Sequence, residues 1–419
     1  MDGLAMKISK LSILLTLFVL SISAPIPAES QVATLPRMLS LADALQIAAR
    51  QNPGLQAETT ARQIARGDAV TAALLPNPEL LLRSEDFRGG SFLDRQELFF
   101  EVSQEVQTAG KRSQQMAVAG ANLRATEADV DNTARLLRFA VKQAYFQIVL
   151  AKADLAVARG LLADFDRTIR AKEEQFHVGE ISGAELRRVQ VERFRVFDDV
   201  VAGELNLTQA RATLLTLLGL SDSTFEFDVT EELVKAEPIG SLVPLHAEAL
   251  QTRPDLKAQR QRIIRAREQI GLEQARRFPN LFPFVGYKRN FSEDSAIFGV
   301  AAPLPLFNRN QGAIVRAQAE EERESFQIRR LETQALLELD QAFNRFESER
   351  RRLEGLETEY LPKARESREI AEAAHKLGAI DLTAFLDTQR TFREVQRLYN
   401  RSLYELSIAR FQVEAAVGR

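Results

Sequence analysis

Between Ser113 and about Phe176 apolar residues return at alternating steps of four and three. They are Leu137, Val141, Ala144, Ile148, Ala151, Leu155, Ala158, Leu162, Phe165, Ile169 and Phe176, with Lys172 the single missed position. A 3.5-residue period uninterrupted by proline predicts one helix carrying a coiled-coil seam. At 1.5 Å per residue that helix is roughly 95 Å long. A compact globular enzyme has no room for it.

Composition narrows the class. Charged residues make up 27% of the 419 and nearly cancel to a net charge of -3, so nothing points to a nucleic-acid partner or a general basic surface. Cysteine is absent. Disulfides, thiolate metal sites and a cysteine nucleophile are thereby excluded, and an oxidising compartment fits. At the N-terminus Lys7 and Lys10 precede an apolar core, Leu11 to Leu20, followed by small residues and by Pro25 and Pro27. This predicts a secretory signal peptide over 1–28, cleaved after Ala28 or after Ala24. Lipid attachment to a following cysteine is impossible. Past the leader no apolar run reaches the ~18 residues of a spanning helix, so entry into a bilayer requires strands of a closed barrel.

Taken in order, Ser40 caps a helix reaching about Leu75, with Pro53 breaking or kinking it near Asn52. Pro76-Asn77-Pro78 stops it, and a hairpin is expected over 79–106 around the turn Arg88-Gly89-Gly90-Ser91. In its second strand Leu98, Phe100 and Val102 face one way, and Glu97, Glu101, Ser103 and Glu105 the other. The long helix follows over 113–176, then a tight tip at 177–182, where Gly179 suits a left-handed C-cap and Ser182 caps the return helix. That helix carries Leu186, Val196, Val200, Gly203, Leu207, Ala210, Leu214 and Leu217 on its seam. Residues 221–242 read as an irregular linker.

The plan then repeats at an offset of about 200 residues. Asn52-Pro53-Gly54-Leu55 is echoed by Arg253-Pro254-Asp255-Leu256, and Leu75-Pro76-Asn77 by Phe278-Pro279-Asn280. A second hairpin is expected over 281–302, with a loop from Lys288 to Ser295. Asn308-Arg309-Asn310 takes the place of Gly110-Lys111-Arg112, and a second long helix covers 310–375. The tip Leu377-Gly378-Ala379-Ile380-Asp381 matches the first, Gln190 and Gln389 each following their glycine by eleven residues. The repeats are 29–220 and 243–419. The fold class is mainly α with a small β part, a tandem repeat of long coiled-coil helices plus hairpins.

Four strands cannot close a barrel of useful bore, and a two-helix seam lacks partners. Cyclic self-association removes both deficits. Acidic strand faces would line a water-filled lumen and apolar faces would meet lipid, giving a tube through a membrane with a helical barrel on one side.

On these repeats, tips and hairpins the chain resembles the TolC-type outer membrane efflux family over essentially its whole mature length. Pro76-Asn77-Pro78-Glu79 and Gly110-Lys111-Arg112 are more similar to the branch serving Czc-type heavy-metal exporters, although many of its members carry a lipidated cysteine. The resemblance implies a homotrimer with one 12-stranded transmembrane β-barrel in the outer membrane and a periplasmic α-helical barrel. It also implies a periplasmic adaptor, an inner-membrane pump of the RND type, and export of heavy-metal cations or drugs. Protein secretion with an ABC-type exporter, and a pore-free periplasmic scaffold, remain as alternatives.

Candidate sites follow. The tips Val178, Gly179, Glu180, Ile181, Ser182 and Leu377, Gly378, Ala379, Ile380, Asp381 either dock the adaptor through their aliphatic pairs or merely end helices. Asp387 stands where the resemblance implies an acidic periplasmic gate; the alternative is a solvated carboxylate. Glu97, Glu101 and Glu105 are expected to face the lumen. Lys111, Arg112 and Arg309 sit at the membrane edge, either reaching lipid phosphates or completing polar turns. His177 and His375 precede the tip glycines, where the helix dipole accounts for them without a metal. No phosphate loop, nucleophile elbow or His-Glu-x-x-His helix is present, so no catalytic residue, cofactor or resident metal is expected, and energy must come from a partner.

Overall fold

Two caps and a proline set the entry of the chain. After a two-residue strand β1 (Met38–Leu39), the Ser40 hydroxyl accepts from the Asp43 amide at 3.1 Å and starts helix α1 (Leu41–Gln51). Pro53, at the first turn of α2 (Pro53–Ala73), lacks the N–H to extend α1, and Asn52 caps the new helix through the Leu55 amide. Pro53 therefore separates two helices. In this computed structural model the described residues are 35–85, 97–220, 227–290 and 293–419, and Met38–Arg419 form one compact unit. The signal peptide and the turn Arg88–Ser91 fall outside the described residues.

Strands β2 (Glu79–Glu85) and β3 (Glu97–Ser103) precede α3 (Lys111–His177), whose 67 residues extend roughly 100 Å. Helix α4 (Gly183–Leu218) returns beside it. The second half contains β4 (Asp228–Val229), α5 (Leu242–Thr252), α6 (Pro254–Ala275), β5 (Phe282–Asn290) and β6 (Glu293–Ala301). It ends with α7 (Gln311–Gly355), a π-helical turn Leu356–Tyr360, α8 (Leu361–Lys376) and α9 (Leu382–Val417). Each repeat sends one long hairpin of helices away from the sheet and back.

The seam holds the helices together. Val141, Ala144, Ile148, Ala151, Leu155, Ala158, Phe165 and Ile169 are buried, each large one contributing ~1.5–3 kcal/mol. The missed position is satisfied differently: Lys172 reaches Glu185 on α4 at 3.1 Å. Phe165 and Ile169 pack with Val189 and Val196 of α4, Ala371 of α8, and Leu382 and Phe385 of α9. The two tips thus share one apolar core.

One stretch differs from expectation, and a second adds a short strand pair to it. The second long helix is not regular: the π turn interrupts it just before Pro362, which cannot donate to a carbonyl four residues back and whose ring crowds that carbonyl. The described part of 221–242 before the helix at Leu242 is irregular apart from β4, which pairs parallel to β1 (Met38↔Asp228, Leu39↔Val229). There the buried Tyr145 hydroxyl donates to the Leu39 carbonyl at 2.8 Å and meets Glu231, whose other oxygen accepts from the Leu41 amide. Two-residue strands have no alternation for a sequence to display.

Both repeats close on a glycine. Gly219 (φ +77°) and Gly418 (φ +107°) end α4 and α9 against the turns at Gln51–Pro53 and Thr252–Arg253. A Cβ on Gly219 would stand 2.4 Å from the Gln51 carbonyl oxygen. Beside Gly418 the buried Arg253 bonds Asp255 at 2.7 Å and Glu338 at 2.9 Å.

The hairpins of the two repeats join in one antiparallel sheet of order β2-β3-β5-β6. Its central register pairs Phe100 with Tyr287 and Val102 with Val285. The expected loop Lys288–Ser295 is largely strand, since Lys288 pairs with Ser295, Arg289 with Asp294 and Asn290 with Glu293. Polar cross-strand pairs sustain it, among them Lys288 with Glu97 at 3.0 Å.

Gly219→Ala combines a left-handed backbone with a backbone clash, and should cost at least ~1–3 kcal/mol. Thermal loss of helical circular dichroism measures this. Gly240→Ala, where an added Cβ meets nothing, should leave the curve unchanged. Equal melting of the two variants would contradict the closure role.

Candidate functional site

The sheet lies at one end of the long helices and the tips at the other, because α3 leaves the end of β3 and runs to Val178. One sheet face presents Leu80, Leu82, Phe100, Val285, Tyr287, Phe298 and Val300, all exposed in the single chain, Phe298 by 86%. Among the described residues the outer edges of β2 and β6 have no strand partner. No described helix is long and apolar enough to cross a membrane.

The opposite face is not simply acidic. Glu97 and Glu101 share it with Arg83 and Lys288, and Phe99 stands between them with Arg83 4.6 Å and Lys288 4.8 Å from its ring centre. Glu105 follows the last residue of β3, just before the Val106 bridge to Leu281, and accepts from the Asn280 amide. The pairing itself runs on past Glu105, since Val106 and Leu281 exchange backbone bonds in the same register.

That junction also revises the three cations. Lys111 is buried, its ammonium donating to the Phe278 carbonyl at 2.6 Å and also to Asn280 Oδ1. Burial lowers its pKa below the usual lysine range, against the nearby charge of Glu105. It ties the two repeats together and has no free donor face for a lipid phosphate. Arg112 remains exposed and donates to the Ala73 carbonyl at 3.0 Å, covering the C-terminus of α2. Arg309 is exposed too, its Nε 3.3 Å from the Pro305 carbonyl.

The match between junctions is shifted from the expected one. Gly110 and Asn310 are both left-handed and both precede the first residue of a long helix, so Gln311, and not Arg309, corresponds to Lys111. Asn310 is held in its strained backbone by donating to the buried Glu273 at 2.6 Å.

The tips are built alike. The Glu180 amide bonds the Gln175 carbonyl and that of Gly179 bonds Phe176; Ala379 to Ala374 and Gly378 to His375 repeat the pattern. These are two Schellman motifs around left-handed glycines with open space where a side chain would go. Ser182 and Asp381 then cap α4 and α9 through the Glu185 and Ala384 amides. Val178 and Leu377 are 72% and 84% exposed. Ile181 is half-buried, and Ile380 packs on the shared tip core, so the exposed feature is one residue per tip and not a pair.

Asp387 is exposed and paired with Arg390 at 2.6 Å. His375 stacks on Phe385 with centroids 4.9 Å apart, which is a packing role. Among the described residues no group of three or more His, Cys, Asp or Glu could hold a metal.

Long paired helices, a small open sheet with a greasy face and twin tips define a class, and the comparisons agree on it. The chain belongs to the outer membrane efflux protein family, which matches residues 44–220 and 245–419. It is similar to the cobalt-zinc-cadmium resistance protein CzcC of Cupriavidus metallidurans, at 26% identity over 93% of each chain. It is 24% identical to the cation efflux system protein CusC of Escherichia coli over 64% of this chain and 62% of that one. Its fold matches the crystal structure of CusC with a TM-score of 0.75 at 20% identity, covering 94% and 97% of the two chains. It also matches the CmeC outer membrane channel of Campylobacter jejuni at 0.76 and 15%, covering 90% and 85%. The protein is an outer membrane efflux channel.

Removing the junction cation tests its structural role. Lys111→Met removes the ammonium that donates to the Phe278 carbonyl and to Asn280 Oδ1, leaving the latter only the Thr108 amide at 3.4 Å, and should cost ~1–3 kcal/mol, read as a lower melting temperature. Arg112→Met, at the exposed neighbour, should shift it much less. Equal melting of wild type and Lys111→Met would dismiss the anchor.

Proposed function

We propose that three copies close their sheets edge to edge into a 12-stranded barrel, and that their helices continue it as a periplasmic tunnel. The observation that carries this reading is the pair of unpaired edges, β2 and β6, on a four-stranded sheet whose apolar face is bare. Joining β6 of one copy to β2 of the next satisfies the edges and turns the apolar face to lipid. The mixed face, with Glu97, Glu101, Arg83 and Lys288, then lines the water-filled interior. A pore-free scaffold has no use for that apolar face.

The tunnel serves a tripartite system, with an adaptor docking at the tips and an RND-type pump in the inner membrane supplying the energy. Exposed Val178 and Leu377 on rigid Schellman turns support docking. The exported cargo is heavy-metal cations or drugs; the cation reading rests on the relatives' names, cobalt-zinc-cadmium resistance and cation efflux. Three copies of Asp387 near the threefold axis would form a ring that favours cations, with Arg390 setting how much of that charge is felt.

Since the chain has no cysteine, introduced pairs report without background. Leu82→Cys combined in turn with Ala296→Cys, Phe298→Cys or Val300→Cys places both thiols on the lipid-facing side. Oxidation in membranes should give covalent trimers for one of these registers. Monomers in all three, with a monomer mass in detergent, would overturn the assembly.

The tips are tested separately. Val178→Glu with Leu377→Glu should abolish metal or drug resistance in cells while the trimer and its bilayer conductance persist. Unchanged resistance would remove the tips from docking.

A further inference from the structure

The π turn in the second long helix opens a feature that neither the sheet nor the tips account for. Its extra residue per turn widens the helix where α7 faces α9, leaving a groove of about 730 Å³. The walls combine two chemistries. Arg345, Arg351, Arg352 and Arg401 bring four guanidiniums against two carboxylates, Glu349 and Glu405. Each carboxylate is already engaged, Glu405 by Arg345 at 2.7 Å and Glu349 by Arg352 at 3.1 Å, which leaves positive charge in excess. The remaining wall is apolar: Leu356, Tyr360 and Leu398, the last two more than half exposed.

A second observation points into the same groove. Ser402 is 2% exposed, lines the groove, and its hydroxyl has no hydrogen-bond partner. Buried polar atoms are seldom left unpaired unless a ligand or water completes them. Gly355, on the opposite wall, has nothing within 4 Å of where a Cβ would stand, so the space there is open. The volume lies within the range of pockets that hold drug-sized molecules.

We infer that the groove between α7 and α9 at the π turn binds a small amphipathic anion, a sulfonate, phosphate or carboxylate head on a rigid apolar body. The guanidiniums take the head, Arg351 and Arg401 being the more accessible because neither bonds a carboxylate within 3.5 Å. Tyr360, Leu356 and Leu398 take the body, and Ser402 supplies one directed hydrogen bond. The groove lies on the helical part of the molecule, away from the sheet and the tips, and is distinct from both of those features.

The test uses the full-length protein in lipid nanodiscs, with empty nanodiscs as the blank, and equilibrium dialysis of an anilinonaphthalene sulfonate. Saturable binding of one probe per chain is expected, with at least tenfold weaker binding of the uncharged parent anilinonaphthalene. Arg351→Gln with Arg401→Gln should weaken the sulfonate tenfold or more and leave the parent unaffected. Gly355→Leu should weaken both by filling the groove, and Arg401→Lys should retain most of the affinity. Circular dichroism identifies any variant that fails to fold. No saturable binding to the wild type, as would follow if assembled subunits cover the groove, overturns the proposal. So does equal binding to the wild type, the double variant and Gly355→Leu.

Discussion

The pairing of β3 with β5 is the interaction on which the rest of the molecule depends. Through Phe100↔Tyr287 and Val102↔Val285 it fuses the hairpins of two repeats into one sheet and fixes which residues share a face. A slip of one residue would send Phe100 to the side of Glu97 and Glu101. Because β3 leads into α3 and β5 follows α6, each through a short junction, the register of that pair also sets where α3 begins relative to the end of α6. Polar side chains hold the joint: the Lys111 ammonium and the Thr108 hydroxyl, both on the first repeat, bond carbonyls at Phe278 and Pro279 on the second.

The two repeats solve the same geometric problem with different residues. Each long helix starts after a left-handed residue, Gly110 in one and Asn310 in the other. Glycine adopts that backbone freely, whereas Asn310 is held there by bonds to Glu273. At the far end the solutions are the same, with glycine-centred Schellman turns followed by Ser182 or Asp381 as the next cap. In between the copies part company: α3 runs unbroken, while Pro362 forces a π turn into its counterpart. Near-symmetry thus gives the body its shape, and the departures from it supply distinct surfaces, the arginine-lined groove among them.

Much of this is legible in the sequence, for reasons that differ from element to element. The seam of α3 is readable because coiled-coil packing repeats over many turns, so single errors such as Lys172 do not hide the period. The tip caps are readable because only glycine suits the left-handed turn and Ser182 lies three residues before Glu185. Lys111 is not, since a lysine beside a strand looks the same whether its ammonium meets water, lipid or a carbonyl from 167 residues away. Glu105 is a related case, as alternation along the strand does not reveal the Asn280 amide that it accepts from. Phe99 escapes notice because an aromatic on a polar face breaks the pattern, and only the flanking Arg83 and Lys288 account for it.

The sequence by itself determined the periodic content: two copies of one plan, long helices of 3.5-residue period, strands of period two, and the glycines and prolines that punctuate them. Those features are local, written in spacings that neighbours along the chain enforce on one another. Tertiary structure alone decided which strands adjoin, that β1 and β4 pair beside Tyr145, and which charges are engaged inside the molecule. Such matters depend on groups brought together from distant points of the chain, and no spacing along it encodes the distance between them.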